Sequence, residues 1–325
     1  MGYILCGHGG SGDHGQEDRI RGTCRLLPSR PTLLTPCVEE EWHYGLAEVA
    51  DLSSYDTPTA LDDLYLTATA RPTPGRSVLW CWQGQSLPPQ RIHNFEAITV
   101  PNLMLLHKLH DQGVGSRLRL GPDPAFHVWR RLRPLEGAFR HDTVGLCLSP
   151  CVTAYECRPG LLFESYCRLM CHILTCTTMD IALIPYCAKR HREDSSLLQA
   201  LYHRFSQCAR VFLRPDGDSP SLRGDLSLCR MVVGCSGAVA AWTCGVPALC
   251  IGADPYAMGM AEQLFGNWQK VLVPAAWLTD SGALTRQFSA LMKQEDTLHA
   301  ALERSIPQQR HRSACWSWEN LRFMA

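Results

Sequence analysis

Glycine, serine and acidic side chains are concentrated in one loop near the start of the chain. A short apolar segment, residues 3–6, runs into residues 7–17, where five glycines fall within nine positions. Glycine allows the backbone to approach a ligand closely, and a helix-like stretch follows over residues 16–27. A strand, a glycine-rich turn and a helix N-terminus together form a binding site for an anionic group. We therefore expect a negative or sugar-like ligand at the carboxyl end of the first strand, contacted by Gly9, Gly10, Ser11, Gly12, Asp13 and Glu17.

This opening loop matches neither of two common nucleotide-binding motifs. Gly7, Gly9 and Gly12 fit G-x-G-x-x-G, but no acidic residue ends a clean second strand about 20 residues further on, as NAD binding requires. No Gly-Lys-Ser/Thr follows the glycines, which excludes a phosphate-binding P-loop. We predict no bound cofactor.

A second loop of small residues follows an apolar segment late in the chain. Residues 232–234 read as the end of a strand, a helix begins at Gly237, and the next strand begins after Pro247. In transferases with two Rossmann-like domains, this arrangement places small residues and backbone N–H groups against the phosphates of the donor. We predict that the donor is contacted by Cys235, Ser236 and Gly237.

Two polar residues near this second loop have alternative interpretations. Cys-Ser-Gly is not the G-x-S-x-G motif, and no base can be placed beside Ser236, so we interpret it as a serine that contacts phosphate or caps the helix. Glu262 lies in a later helical stretch. It either hydrogen-bonds a ligand hydroxyl or is a polar residue on an exposed helix face.

Strands and helices alternate along both halves of the chain, which predicts mostly parallel sheets covered on both faces. Residues 51–76 are rich in Thr, Pro, Ser and Asp and are predicted to form a loop with a helical turn. The predicted strands are 2–6, 32–36, 77–81, 96–100, 117–120, 143–148, 180–184, 210–213, 230–234 and 248–251. The predicted helices are 16–27, 102–112, 160–176, 193–206, 237–244, 257–265 and 283–304.

The length of 325 residues suits two domains. We predict an α/β protein of two Rossmann-like domains facing across a cleft. The N-terminal domain (1–135) takes the acceptor and the C-terminal domain (142–305) takes the donor. A basic linker joins them, and the tail (306–325) packs onto the body.

Composition excludes several classes of partner. Thirty-one basic and thirty-one acidic residues cancel, which argues against nucleic acid or an anionic membrane surface. The longest apolar run, residues 231–251, is broken by glycines and a proline and is unsuited to a membrane span of about 20 residues. The chain begins with a core strand and shows no signal-type segment. We predict a cytoplasmic protein.

The chain has 17 cysteines, an odd number, and no C-x-x-C motif. Several lie in apolar segments, where a free thiol behaves as a small hydrophobic group, and this favours a reducing compartment. A zinc site is the alternative for Cys167 and Cys171, which share a helix face near Cys151, Cys157 and His172. Core packing is the preferred interpretation, so we predict no metal.

Four segments, in the same order, resemble the polysaccharide pyruvyl transferases. In the first, Asp13 stands at the Asn and Gln16-Glu17 at the Asp-Glu of the family's G-x-G-N-x-G-D-E loop. The second resembles a helix followed by the sequence PDPAF, the third resembles the start of the second domain, and the fourth resembles the C-terminal signature. The segments are residues 9–17; 105–109 with 120–126; 144–150 with 183–185; and 232–247 with 254–255 and 261–264.

This resemblance implies two Rossmann-like domains, similar to the two-Rossmann-domain glycosyltransferase fold, and the transfer of a pyruvyl group from phosphoenolpyruvate to two hydroxyls of a saccharide, as a ketal. It also implies that Tyr186 contacts the donor together with the loop at residues 235–237. The acceptor would be a cell-surface saccharide or its lipid-linked precursor. Such chemistry needs cations for the phosphate and carboxylate and an acid/base group for the hydroxyls. The partners are then a small-molecule donor and a saccharide acceptor.

The chain departs from the family at the positions of expected chemistry. Gly234 and Ser236 stand at the family's arginine and histidine, Tyr186 replaces a histidine, and Pro101-Asn102 replaces an arginine. These changes remove an anion clamp and a group that titrates near neutral pH. Two further hypotheses therefore stay open: a nucleotide-sugar-dependent glycosyltransferase-like enzyme, and a catalytically degenerate member that binds saccharide. Cations that can compensate are His8, His14, Lys189, Arg190, His191 and Arg192.

Overall fold

The computed structural model describes residues 4–6, 14–27, 30–35, 46–51, 65–67, 77–79, 97–115, 117–121, 123–128, 130, 142–148, 156–186, 192–252 and 254–320. The chain divides into two compact units. The first comprises Met1–Val128, Asp254–Met260 and Pro307–Ala325, and the second comprises Trp129–Ala253 and Ala261–Ile306. The chain therefore returns to the first unit twice after leaving it.

In its described residues, the first unit has one sheet of seven strands in the order β3-β2-β1-β4-β5-β6-β7. Pairing is parallel except at β4, which runs antiparallel to both β1 and β5. The strands are β1 Ile4–Cys6, β2 Thr32–Thr35, β3 Glu48–Asp51, β4 Tyr65–Thr67, β5 Ser77–Leu79, β6 Ala97–Val100 and β7 Leu118–Leu120.

The prediction of a loop with a helical turn over residues 51–76 is wrong, because β4 lies there. A three-residue strand within a segment of polar residues and proline is too short to show the alternating pattern that identifies strands. Its neighbours in the sheet, and not its own sequence, specify it.

The helices of the first unit pack closely on its loops. They are α1 His14–Leu26 and α2 Leu103–Asp111, with a 3-10 turn at Pro124–His127. A Cβ built on Gly22 of α1 would lie 2.0 Å from the carbonyl oxygen of Pro124. Glycine is therefore required at this position for α1 to contact the turn.

In its described part, the second unit has a six-stranded sheet in the order β10-β9-β8-β11-β12-β13, and every pairing is parallel. Counted within the unit, this is the 3-2-1-4-5-6 order of the Rossmann fold. Most of these strands are buried along their length, as parallel strands covered on both faces must be. The strands are β8 Thr143–Cys147, β9 Asp180–Leu183, β10 Val211–Leu213, β11 Met231–Gly234, β12 Ala248–Ile251 and β13 Leu272–Val273.

Helices follow most of these strands. They are α3 Leu161–Cys176, α4 Arg192–Arg204, α5 Ser219–Leu228, α6 Ser236–Thr243, α7 Pro255–Phe265, α8 Ala283–Met292 and α9 Glu295–Asn320, with 3-10 turns at Trp268–Lys270 and Ala275–Trp277. The first six residues of α7, and α9 from Pro307 onward, belong to the first unit. The sequence did not predict β3, α5 or β13. The single helix predicted over 283–304 is instead two, because the chain leaves helical hydrogen bonding at Lys293 and α9 starts at Glu295.

An arginine ties three segments together at the amino edge of the second sheet. Arg230, just before β11, donates to Asp142, just before β8, at 2.8 Å and to both carboxylate oxygens of Glu295 at 2.7 and 2.8 Å. Hydrogen bonds to these carboxylates raise the pKa of Arg230 above its ordinary value. This ion-pair network fixes the strand starts and leaves the carboxyl edge for the loops that can bind a ligand.

Burial makes some of the thiols poor ligands and poor nucleophiles. Cys24 is buried, and desolvation raises its pKa to about 12; burial likewise raises the pKa of Cys229. The described residues contain no group of three or more His, Cys, Asp or Glu side chains arranged to hold a metal ion. Of the helices described, none has both the length and the apolar composition needed to cross a membrane.

Candidate functional site

The carboxyl edge of the second sheet, where β8 and β11 are neighbours, is the site best supported by geometry. The chain builds outward from β8 to β9 and β10 on one side, and from β11 to β12 and β13 on the other. Ligands of doubly wound sheets bind at such a switch point, outside the carboxyl ends of the strands. The predicted donor residues Cys235, Ser236 and Gly237 follow β11 at this edge, and Tyr186 follows β9.

Two glycines allow the loop after β11 to press against β8. A Cβ on Gly234 would lie 2.4 Å from the carbonyl oxygen of Cys147, and a Cβ on Gly237 would lie 2.5 Å from its Sγ. The same Cβ on Gly237 would be 3.5 Å from the Cβ of Tyr186. The ends of β8, β9 and β11 therefore meet here. Gly234 has no room for the arginine found at its position in the pyruvyl transferases.

The first turn of α6 presents backbone N–H groups that the described part of the chain does not use. Ala238 and Val239 donate to the carbonyl oxygen of Cys235 at 3.0 and 3.3 Å. In the described residues, the N–H groups of Ser236 and Gly237 have no acceptor, and the Cys235 side chain makes no capping hydrogen bond. Ser236 is exposed. This helix end can therefore accept an external anion.

Other helices of the second unit have their N-termini occupied by carboxylates of the chain itself. Glu156 accepts from the N–H groups of Gly160 and Leu162 at 2.8 and 3.0 Å at the start of α3. Asp218 accepts from Ser221 N–H at 2.9 Å at the start of α5. In many Rossmann proteins the helix after the first strand binds the phosphates, but here a carboxylate occupies that position. Compared with α3 and α5, α6 therefore has an open N-terminus.

Burial of a single indole fixes the position of α6. Trp242 is fully buried and its Nε1 donates to the carbonyl oxygen of Ala248 at 3.0 Å. Its ring packs edge-on against Phe265, with centroids 5.7 Å apart. A helix held by a buried aromatic side chain keeps its N–H groups preorganised for a ligand.

The side chains that pack beneath the loop at residues 235–237 are uncharged. Cys147 and Cys250 are buried, and the Sγ of Cys250 lies 3.7 Å from the carbonyl oxygen of Cys235. Tyr166 of α3 donates from its hydroxyl to the carbonyl oxygen of Cys147 at 3.3 Å, and burial raises its pKa well above the ordinary value. Since Tyr166 stays protonated and neutral, an anion bound above it meets helix N–H groups without a competing negative charge.

Arg214 is a residue at this edge that the sequence analysis missed. It follows β10, and its Nη2 lies 2.9 Å from Oδ1 of Asp225 in α5. Its side chain is 12% exposed and that of Asp225 is fully buried. The available signal was an arginine directly after an apolar strand, within the segment Val-Phe-Leu-Arg. Without the prediction of α5, its partner was not identifiable.

The predicted acceptor residues divide between described and undescribed parts of the chain. Gly9, Gly10, Ser11, Gly12 and Asp13 lie outside the described residues. Glu17 is described and is 3% exposed, and its Oε2 lies 3.2 Å from Nη2 of Arg21, which also contacts Asp18. Glu17 is thus part of a buried ion pair within α1, and its contact with a ligand stays a prediction.

Most of the basic residues predicted to compensate for the missing arginine and histidine lie outside the described residues. His8, Lys189, Arg190 and His191 lie outside the described residues, whereas His14 and Arg192 are the first residues of α1 and α4.

Glu262 has a structural contact in the second unit. It is exposed on α7, and its Oε2 accepts from the N–H of Trp268 at 3.1 Å, which caps the 3-10 turn at Trp268–Lys270. One carboxylate oxygen therefore has a backbone partner. Binding of a ligand hydroxyl by Glu262 stays a prediction.

Asn102, which stands where the pyruvyl transferases carry an arginine, has a structural role in the first unit. It is 1% exposed, and its Oδ1 accepts from Leu105 N–H at 2.9 Å at the start of α2. Its Nδ2 donates to the carbonyl oxygen of Tyr256 at 3.3 Å, and Gly259 has no room for a Cβ beside it. The amide joins α2 to the start of α7 and leaves no position there for an arginine.

No family model matches the sequence. No curated protein matches it either. Among solved structures, the chain is similar to S. aureus MnaA in a co-structure with UDP, at 11% identity and a TM-score of 0.60, covering 97% of this chain and 93% of that one. It is also similar to a glycosyltransferase from Rickettsia africae ESF-5, at 10% identity and a TM-score of 0.57, covering 99% and 96%. At these identities the similarity shows the fold, which confirms the predicted α/β class with two Rossmann-like units.

Proposed function

We propose that this chain is a nucleotide-sugar-dependent, glycosyltransferase-like enzyme that binds the diphosphate of its donor at the N-terminus of α6. The observation that carries the proposal is the open first turn of α6, where Ser236 and Gly237 present N–H groups and Ser236 a hydroxyl. The fold shared with a glycosyltransferase and with a protein solved with UDP supports the same ligand class.

The chemistry of glycosyl transfer suits such a helix end. When the bond from the sugar to the diphosphate breaks, negative charge develops on the departing phosphate oxygen. Helix N–H groups fixed in advance stabilise this charge without reorganising. The loop Cys235–Gly237 thus binds the donor and stabilises the leaving group.

Pyruvyl transfer from phosphoenolpyruvate is the second candidate function. The four family-like segments, which occur in the family's order, support it. Gly234 weighs against it, because the position has no room for the family's arginine. Ser236 weighs against it as well, since serine does not titrate near neutral pH as histidine does. The nucleotide-sugar proposal therefore has more support.

A ligand screen separates the candidates. Thermal unfolding of the full chain is measured with UDP, CDP, GDP, ADP, UDP-sugars and phosphoenolpyruvate, because a ligand that binds only the folded state raises the melting temperature. The proposal expects a shift of several degrees with at least one nucleoside diphosphate and none with phosphoenolpyruvate. The reverse pattern would replace it with pyruvyl transfer. No shift with any nucleotide or with phosphoenolpyruvate would favour a degenerate saccharide-binding protein.

A further inference from the structure

Two tryptophans lie in contact at the surface of the second unit. Trp268 and Trp277 belong to the 3-10 turns on either side of β13, which is the edge strand of the second sheet in the described residues. Their ring centroids are 5.9 Å apart, and the ring planes are inclined at 43°. Contact with Trp268 at this distance restricts rotation of the Trp277 indole. We call these two side chains the tryptophan pair.

Trp277 is not a core residue. It is 56% exposed, whereas large aromatic side chains of the chain such as Trp242 and Phe288 are buried. An indole that stays in water contributes little apolar burial to stability. Exposed aromatic surface that is held in a fixed orientation is typical of a site that contacts a ligand or a partner.

The size of the tryptophan pair favours a small ligand over a protein partner. An indole buries at most about 250 Å², so the two together cover at most roughly 500 Å². Each side of a stable protein interface covers about 800 Å². In the described part of the second unit, no other large apolar residue is exposed and able to extend the surface. The pair therefore has too little apolar area to hold a protein partner by itself.

Polar groups beside the tryptophan pair include both acceptors and donors. The Oε2 of Glu262 accepts from Trp268 N–H at 3.1 Å, and its Oε1 has no hydrogen-bond partner among the described residues. The Oδ1 of Asn267 accepts from Gln269 N–H at 2.9 Å, which leaves the Nδ2 amino group as a donor. Glu262, Asn267 and Lys270 are all exposed. One carboxylate and one ammonium group cancel, so this surface has no net attraction for phosphates or an anionic membrane.

A pyranose sugar has the chemistry that this surface complements. Its C–H groups form an apolar ring face, and their hydrogens carry a small positive charge that is attracted to the negative face of an aromatic ring. Its hydroxyls lie around the rim, and each hydroxyl both donates and accepts a hydrogen bond. An aromatic face beside an exposed carboxylate and an exposed amide therefore matches a sugar ring.

We propose that the tryptophan pair binds a saccharide chain, with a pyranose ring on the exposed face of Trp277 and a ring hydroxyl donating to Glu262. The matching class is a chain of pyranoses with equatorial substituents, because axial C–H groups then leave both ring faces apolar. The inference goes beyond the proposed function and does not depend on it, since it makes no use of the α6 loop.

The test measures binding of cellohexaose and of chitohexaose to the full chain by titration calorimetry. Both are chains of pyranoses with equatorial substituents, and the wild type should bind at least one of them. Trp277→Ala should raise the Kd about tenfold, because the apolar surface beneath the sugar ring is lost. Trp277→Tyr keeps an aromatic face and should raise the Kd by no more than about threefold.

Glu262→Gln tests the hydroxyl contact. Glutamine has a similar size and keeps an oxygen for the N–H of Trp268, but a neutral acceptor makes a weaker hydrogen bond than a carboxylate. The Kd should therefore rise about threefold.

Leu103→Ala is the matched control, since Leu103 is also 56% exposed and lies in the first unit. It should keep the wild-type Kd for the hexasaccharide. A melting curve checks that each variant is folded, and if Trp277→Ala is not, Trp277→Tyr and Glu262→Gln carry the test.

Three outcomes overturn the proposal. The first is a wild type that binds neither hexasaccharide. The second is a folded Trp277→Ala that keeps the wild-type affinity, because the saccharide would then bind elsewhere. The third is a wild-type dimer in sedimentation that Trp277→Ala abolishes, because the pair would then be a protein interface.

A titration with UDP separates this proposal from the proposed function. Trp277→Ala should bind UDP as the wild type does. A wild type that binds a hexasaccharide through Trp277 but binds no nucleoside diphosphate overturns the proposed function and supports the saccharide site.

Discussion

Ser236 is the residue at which ligand binding and stability should respond in opposite directions. Ser236→Asp places a carboxylate in the first turn of α6, where the helix dipole favours it by about 0.5 kcal/mol. The free energy of unfolding should therefore rise, while the same carboxylate repels a diphosphate and abolishes the thermal shift with UDP. Urea unfolding and the ligand screen measure the two effects.

Ser236→Asn is the matched control for charge, because it has similar size and no charge. It should retain most of the UDP shift and leave stability within about 0.5 kcal/mol of the wild type. If Ser236→Asp still bound UDP as the wild type does, the diphosphate would not lie at α6.

His127 should make the stability of the first unit depend on pH. Burial, with Arg310 and Arg25 nearby, lowers the pKa of His127 to about 4. Its Nε2 is buried and has no hydrogen-bond partner among the described residues. In the unfolded chain the imidazole of His127 binds a proton near pH 6.5. The contribution of neutral His127 to the free energy of unfolding is therefore complete above that pH and is lost as pH falls towards 4.

His127→Gln should weaken the dependence of the free energy of unfolding on pH. Between about pH 7 and pH 5 the wild type should lose on the order of 2 kcal/mol more of its unfolding free energy than the variant. Denaturant titrations at the two pH values measure the difference. His110→Gln, at an exposed side chain, should keep the wild-type profile; equal profiles for wild type and His127→Gln would contradict the expectation.

At the scale of elements, the contact of α1 with the turn at Pro124–His127 depends on the absence of one side chain. Gly22→Ala puts a Cβ 2.0 Å from the carbonyl oxygen of Pro124, so α1 or the turn must move. Overpacking of this kind costs about 1–3 kcal/mol, and the melting temperature should fall accordingly. A melting temperature equal to that of the wild type would mean that α1 and this turn are not in contact.

Gly115→Ala is the control substitution, because the nearest atom to its Cβ would be 3.9 Å away. It should change the unfolding free energy by less than about 0.5 kcal/mol. Comparison of the two variants separates the cost of the steric clash at Gly22 from the general effect of replacing glycine with alanine.

At the scale of the whole molecule, ligand protection should map to one edge of one sheet. Hydrogen exchange of the full chain with saturating UDP should slow at the ends of β9 and β11, in peptides that contain Tyr186 and Ser236. The amino edge around Arg230 should exchange as in the free protein, because no predicted ligand residue lies there. Protection that appears at Arg230 and not at Ser236 would place the ligand elsewhere.

The pattern of apolar residues along the sequence predicted most of the strands and helices. Ten predicted strands and most predicted helices recur within a few residues, since long apolar segments bounded by glycine and proline leave few alternatives. The elements that were missed, β3, β4, β13 and α5, are short or polar. The three strands are specified by pairing with neighbouring strands that lie elsewhere in the chain, and that information is not local to the sequence.

The sequence by itself determined the loop types: two glycine-bearing turns, each between an apolar strand and a helix, in an alternating α/β chain. Only the tertiary structure decided which helix end is open, because that depends on whether a distant carboxylate such as Glu156 occupies it. It also decided that Gly234 has no space for a side chain and that Arg214 forms an ion pair with the buried Asp225. Hydrogen-bond partners and steric limits arise between segments far apart in the chain, so spacing alone does not reveal them.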